Sequence, residues 1–326
     1  MKIGVWVPQR YDTSVKIYSD NICTILQELG VEIHYFGKNQ PIPDVDLIWD
    51  PTCTGARYPN RKILTTSIPW IVTLHGAANL SMPLRYTYPK LKNRFFGVFT
   101  NLRRRIMWGL YKFKVKHIIT VSKFAKEELV EQLNIYPDLI TYIYHGYDDN
   151  LFYPQSGSKE FYLHVSIYQP KKNTERIVEA YNLIKNKTNY PLLLVCPGYP
   201  DKIEDEKITL IRDKQTPKSV AKLMKNAYCF IFPSLHESFG LPLVESMASG
   251  APLITSDSSA CKEICKDGGI TVNPYQTEAI SNAILMIEDV ALHEKYTKAA
   301  LERAKDFSWR KSALLHLELF KRYQYE

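Results

Sequence analysis

Residues 236–250 read HESFGLPLVESMASG and follow an apolar run at 227–232, AYCFIF. The run has the length and composition of a buried strand. Pro242 suits the first turn of a helix, where its missing N–H costs nothing. Gly250 suits the left-handed position past a helix end. The spacing therefore predicts a strand, a loop and a short helix over 242–249, with the helix N-terminus at the carboxyl end of the strand. Open α/β sheets bind ligands at that place. The amides of Ser238, Phe239, Gly240 and Leu241, together with the helix dipole, make a cradle for an anion, and Gly240 lets backbone come close to a phosphate. Two acids flank it. Glu245, about one turn into the helix, can accept hydrogen bonds from paired hydroxyls, as on a ribose. Glu237, on the loop, can face a second polyol such as a sugar. A sugar, a diphosphate and a ribose in that order make a nucleotide-sugar. Acids near a helix N-terminus also stabilise the helix itself, and spacing alone leaves both uses open.

The same rhythm runs through the chain. In the first half KIGVWVP, VEIHYFG, VDLIWD, WIVTLHG and HIITVS read as strands, with helices such as SVKIYSDNICTILQEL between them. In the second half FYLHVSI, PLLLVC, KITLIR, YCFIF and PLITS read as strands, and NTERIVEAYNLI, with Asn173 or Thr174 as its cap, TPKSVAKLMKNA and PLVESMAS as helices. Near-continuous apolar strands alternating with helices imply parallel sheets covered on both faces. The 326 residues exceed the size at which a single core stops growing. The expected fold class is α/β with two doubly wound, Rossmann-like domains. They are expected over 1–155 and 156–305, joined by the irregular stretch YPQSGSKE at 153–160, with a C-terminal helix over 306–326.

Charge is uneven. From Pro51 to Lys126 there are 15 Lys and Arg and no Asp or Glu, while the whole chain has a net charge of +8. Everything outside that stretch therefore sums to 8 − 15 = −7. Within it, residues 84–116, LRYTYPKLKNRFFGVFTNLRRRIMWGLYKFKVK, interleave aromatic residues with cations. That composition suits a helix lying on an anionic membrane surface. It also suits a nucleic-acid backbone, which is not expected as a partner. None of the six cysteines forms a C-x-x-C pair, so a zinc set is not expected and a reducing compartment is. The first residues, MKIGVWVPQRYD, carry too short an apolar stretch for a signal peptide, and no run of about 18 apolar residues occurs. A cytoplasmic location, peripheral on the inner face of a membrane, is the expectation.

The pattern ESFGLPLVESMASGAPLI resembles the retaining glycosyltransferases of family 4 (glycosyl transferases group 1), whose two glutamates with seven residues between them match Glu237 and Glu245. VSIYQPKKNTERIVEAYNLI, SSACKEICKDGGITVNP and the closing FSW fit the same family, and TLHG, HIITVSKFAKEEL and ITYIYHGYDDNLF resemble its landmarks more weakly. The resemblance implies the GT-B fold, with two Rossmann-like domains facing each other across a cleft, the N-terminal one binding the acceptor and the C-terminal one the nucleotide-sugar. It implies that Glu237 contacts the donor sugar, that Glu245 binds the ribose, and that the amides of Phe239, Gly240 and Leu241 hold the distal phosphate. It implies that Lys172 pairs with the diphosphate, that His75 lies near the sugar as a hydrogen-bond donor, and that the last helix packs back on the first domain. No cofactor beyond the nucleotide-diphosphate sugar co-substrate is implied, and no metal. The Asp44-Val45-Asp46 string opens a strand and is not expected to hold one.

Two departures stand out. Ser166-Ile167 replace the family's Gly-Arg, leaving Lys171 to supply a charge without the bidentate fork of an arginine. VPQRYDTSVKIYSD replaces the Gly-Gly loop after the first strand. The resemblance implies transfer of a sugar to a glycan or lipid-linked acceptor by a front-face reaction, in cell-surface polysaccharide or glycoconjugate synthesis. An epimerase on the same fold, or a transferase-like binding subunit, are the competing readings.

Overall fold

The computed structural model describes residues 1–10, 13–88, 90–157 and 159–324. Tyr11 and Asp12 of the loop after the first strand, Pro89 of the basic stretch, Ser158 of the expected linker, and Tyr325 and Glu326 lie outside the described residues.

Two compact units emerge: Met1–Gly146 with Ser308–Glu326, and Tyr147–Phe307. In the first, strands β1 (Lys2–Trp6), β2 (Glu32–Phe36), β3 (Leu47–Cys53), β4 (Trp70–Leu74), β5 (His117–Thr120) and β6 (Ile140–Tyr142) form one sheet. Its order is β2-β1-β3-β4-β5-β6, with every pair parallel. Helices α1 (Thr13–Glu28), α2 (Ala78–Ser81), α3 (Leu84–Thr87), α4 (Leu91–Tyr111) and α5 (Lys123–Leu133) connect them. In the second unit β7 (Phe161–Val165), β8 (Leu192–Val195), β9 (Ile208–Ile211), β10 (Ala227–Phe232), β11 (Leu253–Ser256) and β12 (Gly269–Val272) form a sheet of order β12-β11-β10-β7-β8-β9, again all parallel. Its helices are α6 (Thr174–Ile184), α7 (Pro217–Asn226), α8 (Leu241–Ala248), α9 (Ser259–Cys265), α10 (Thr277–Met286) and α11 (Val290–Ala304). The last helix, α12 (Trp309–Tyr323), belongs to the first unit, where it packs on α1. Every residue of β3, β4, β10 and β11 is buried, as strands covered on both faces require.

The unit boundaries differ from the expected 155/156 and 305/306. The Pro- and Ser-containing stretch at 153–160 looks like a linker in sequence, yet Phe152 is buried and Pro154 lies beside Gly250. The chain therefore joins the second unit directly after Gly146. β12, the edge strand, was also absent from the strands expected in sequence. Asn173 stands before α6 at φ 62° and does not cap it with its side chain. Its amide donates instead to the carbonyls of Pro233 and Pro274, tying the loops after β10 and β12 together.

A directed chain of hydrogen bonds anchors α12 in the first unit. Trp49 Nε1–H donates to Thr73 Oγ1 at 2.9 Å. Thr73 and Tyr18 hydroxyls lie 2.9 Å apart, and Tyr18 reaches His316 Nε2 at 2.6 Å. His316 Nδ1 donates to the Ser312 carbonyl, so its Nε2 must accept and Tyr18 must donate to it. Thr73, having accepted from Trp49, then donates to Tyr18. Burial holds His316 down to about 4 and His145, beside it, well below the usual histidine value. Both rings are neutral in the folded state.

Candidate active site

The sheet of the second unit reverses its strand order at β7, which has β10 on one side and β8 on the other. The crevice outside the carboxyl ends of β7 and β10 is the place where such sheets take ligands. The loop after β7 delivers Lys171 and Lys172, and the loop after β10 delivers Glu237 and the start of α8. Backbone bonds hold the two loops in register: Leu235 N–H donates to the Lys171 carbonyl at 2.7 Å. The sequence motif and the two lysines, some 65 residues apart, thus meet at one point.

Glu237 and Lys172 form a buried ion pair, with Nζ to Oε1 2.6 Å and side-chain exposures of 9% and 17%. Ser234 Oγ donates to the same oxygen at 2.7 Å. Burial alone would raise the Glu237 carboxyl. The charges of Lys172 and Lys171 and the bonds from Lys172 and Ser234 overcome it and bring it down to about 2. The carboxylate is therefore charged at any working pH and is no proton donor. The stability contributed by the charged carboxylate is fully present above pH 4.5 and is lost as pH falls from there through about 2. Lys172 Nζ also sits 5.1 Å from the Phe232 ring centroid. Beneath them His164 is buried and held to about 4 chiefly by desolvation, its Nδ1 donating to the Ile231 carbonyl.

Gly240 has φ 93°, a conformation glycine adopts freely, and stands immediately before α8. The Gly240 and Leu241 N–H groups find no acceptor among the described residues. They point, with the helix dipole, to the anion cradle read from the sequence. The Phe239 side chain is buried against Phe307, with centroids 5.8 Å apart. Ser238 adjoins it on the same loop. Glu245 is half-buried, and no hydrogen bond or ion pair to its carboxylate occurs among the described residues. Burial first, and then the nearby Asp148, push it up to about 7. An acid desolvated without a partner gains from hydroxyl donors brought by a ligand.

In the first unit His75 Nε2 donates to the Pro51 carbonyl at 2.8 Å, and the ring packs edge-on against Tyr18. One ring nitrogen is thereby engaged by the main chain of the neighbouring strand. Where the resemblance implies an arginine, Ile167 is 57% exposed. Asp46 of the Asp-x-Asp string accepts from the Lys2 amide, and no group of metal-ligating residues occurs among the described residues.

Three contributors escaped the sequence. Ser234 and Ser259 lie where nothing in the pattern marks them. Ser259, at φ 54°, accepts from the Glu237 N–H at 3.2 Å, which fixes the loop. Asp148 was visible as an acid in HGYDDNLF, but its approach to Glu245 was not.

Two family models match. Glycosyl transferases group 1 covers residues 152–303, and Glycosyltransferase Family 4 covers 42–151. An Escherichia coli O-antigen chain mannosyltransferase B is 27% identical over 220 residues, 60% of this chain and 57% of its own. A Salmonella typhimurium O-antigen chain mannosyltransferase, RfbU, is 29% identical over 190 residues, 54% of this chain and 52% of its own. The chain thus spans about half the length of the curated relatives it matches. The crystal structure of Anabaena Alr3699/HepE in complex with UDP-glucose superposes with a TM-score of 0.71 at 17% identity, covering 99% of this chain and 100% of that one, a likeness of fold.

Proposed function

The chain belongs to the family-4 glycosyltransferases, with the GT-B fold, and on that premise we propose that it transfers a hexose from a nucleoside-diphosphate sugar to a glycan or lipid-linked acceptor. The reaction proceeds with retention and without a metal. Mannose is the first candidate, since the matched O-antigen relatives are mannosyltransferases. The same relatives support a place in cell-surface polysaccharide synthesis. The observation that carries the proposal is the convergence of Glu237, Lys172, the free amides of Gly240 and Leu241, and the unpartnered carboxylate of Glu245 on one switch point.

In this reading Lys172 shifts from Glu237 toward the diphosphate as negative charge grows on the leaving group, and the amides of Phe239, Gly240 and Leu241 receive the distal phosphate. Lys171 stands in for the missing arginine. These fixed positive groups do the electrostatic work of the transfer. Glu237, charged and freed of part of its pairing, faces the sugar as positive charge develops at the reacting carbon. Glu245 accepts from the ribose hydroxyls. The exposed, uncharged Ile167 favours a second reading, a nucleotide-sugar-binding protein with impaired turnover.

The test is incubation of the purified chain with GDP-mannose or UDP-glucose and a fraction of lipid-linked saccharides, reading the product anomer by NMR. The expected product keeps the donor's anomeric configuration, and EDTA leaves the rate unchanged. An inverted product overturns retention. Loss with EDTA restored by Mn overturns metal independence. Donor binding with no turnover on any acceptor favours the second reading.

A further inference from the structure

Helix α4 wears its apolar face outward. Gly97, Trp108 and Tyr111 are its buried residues. Trp108 and Tyr111 lie in the core of the first unit, where Tyr111 stacks on Tyr58, and a Cβ at Gly97 would strike the Tyr88 ring. On the opposite side Leu91, Phe95, Phe99, Leu102, Ile106 and Leu110 are all 56–76% exposed. At 100° per residue these six fall in an arc of about 100°, centred away from the core. An ordinary surface helix turns such a stripe inward. Arg94 and Arg105 border one edge of the arc, and Lys92 and Arg103 the other.

We propose that this face of α4 seats the protein on an anionic lipid bilayer, the helix lying in the interface with its apolar arc among the acyl chains and its flanking cations at the headgroups. The inference stands independently of the transferase reading. No helix among the described residues is long and apolar enough to cross a membrane, so α4 lies on the surface. Two features select lipid. An apolar arc bordered by cations on both edges matches the layering of an anionic interface. A second copy of this chain is a poor occupant, because an isologous contact would oppose two surfaces drawn from a stretch of 15 cations and no acids. A nucleic-acid backbone would engage the cations and leave six large apolar side chains in water.

The experiment is co-sedimentation of the full chain with phosphatidylglycerol–phosphatidylcholine vesicles at about 0.1 M salt. The wild type should bind these and bind pure phosphatidylcholine far less. A Phe95→Ser/Phe99→Ser/Ile106→Ser variant, altered only at exposed positions, should lose about tenfold or more in partition while its melting temperature and any donor-induced thermal shift stay unchanged. Lys92→Ser/Arg103→Ser should lose a comparable amount, since each cation near the surface is worth about fivefold. Absence of wild-type binding to anionic vesicles overturns the proposal, as does binding that the triple serine variant leaves intact. A dimer in solution that the same variant converts to monomer assigns the face to a second copy and overturns it. So does binding of single-stranded RNA in place of vesicles.

Discussion

Glu237→Gln is expected to lower kcat about a hundred- to a thousandfold while moving the donor Kd by about threefold or less. The substitution keeps the shape and the bond from Ser234, and removes only the charge. In the resting site that charge is neutralised by Lys172 at 2.6 Å. Donor binding gives Lys172 a second anion, and the carboxylate then acts on the sugar. A carboxyl held at about 2 serves as a fixed negative charge throughout the working range, so the loss should be independent of pH. The amide leaves Lys172 free for the diphosphate, which is why binding survives. Stability should fall by about 1–3 kcal/mol, the cost of breaking one buried charged bond. Equal losses of binding and turnover would reduce Glu237 to a brace for Lys172.

The second large effect is structural. Gly146→Ala is expected to cost about 3 kcal/mol or more. A Cβ at Gly146 would stand 2.0 Å from the Trp309 nitrogen and 2.5 Å from the Ser308 carbonyl carbon. Both are backbone, so no side chain can turn aside. The start of α12 would have to lift, and Trp309, packed on His145 and Tyr18, would go with it. The directed chain from Trp49 to His316 depends on that packing. The first unfolding transition should fall by roughly 6–12 °C. Gly109→Ala is the control, since nothing lies within 4 Å of a Cβ there. A helical alanine at that site should be neutral or slightly stabilising. A Gly146→Ala transition within about 1 °C of wild type would show that α12 does not need this close approach.

The strand–loop–helix around 227–250 was legible because its signals are conformational and local. Pro242 and Gly250 can occupy few places in a helix, and AYCFIF can only be buried. The two-domain α/β architecture followed from the same local rhythm. What stayed hidden depends on contacts distant in sequence. The Lys172–Glu237 pair and the brace from Ser259 exist only once β7 and β10 are neighbours. The boundary at Gly146 was obscured because turn-forming residues at 153–160 resemble a linker wherever they pack. In α4 the apolar period was present in the sequence, but its direction was set by Gly97 against Tyr88 and by Trp108 in the core. His75 was placed at the end of β4, yet its bond to Pro51 crosses to a neighbouring strand.

The central claim is a nucleotide-sugar site built on Glu237, Lys172, α8 and Glu245. Its most direct measurement is a thermal-shift panel of UDP-, GDP-, dTDP- and ADP-sugars on the wild type and on Glu245→Ala. The panel is run above pH 7, where the Glu245 carboxylate is ionised. A donor at a hundred times its Kd should add about 2.7 kcal/mol. One responding donor, its shift lost in Glu245→Ala, is the predicted result. No response from any nucleotide-sugar, or a response that Glu245→Ala leaves intact, would contradict it.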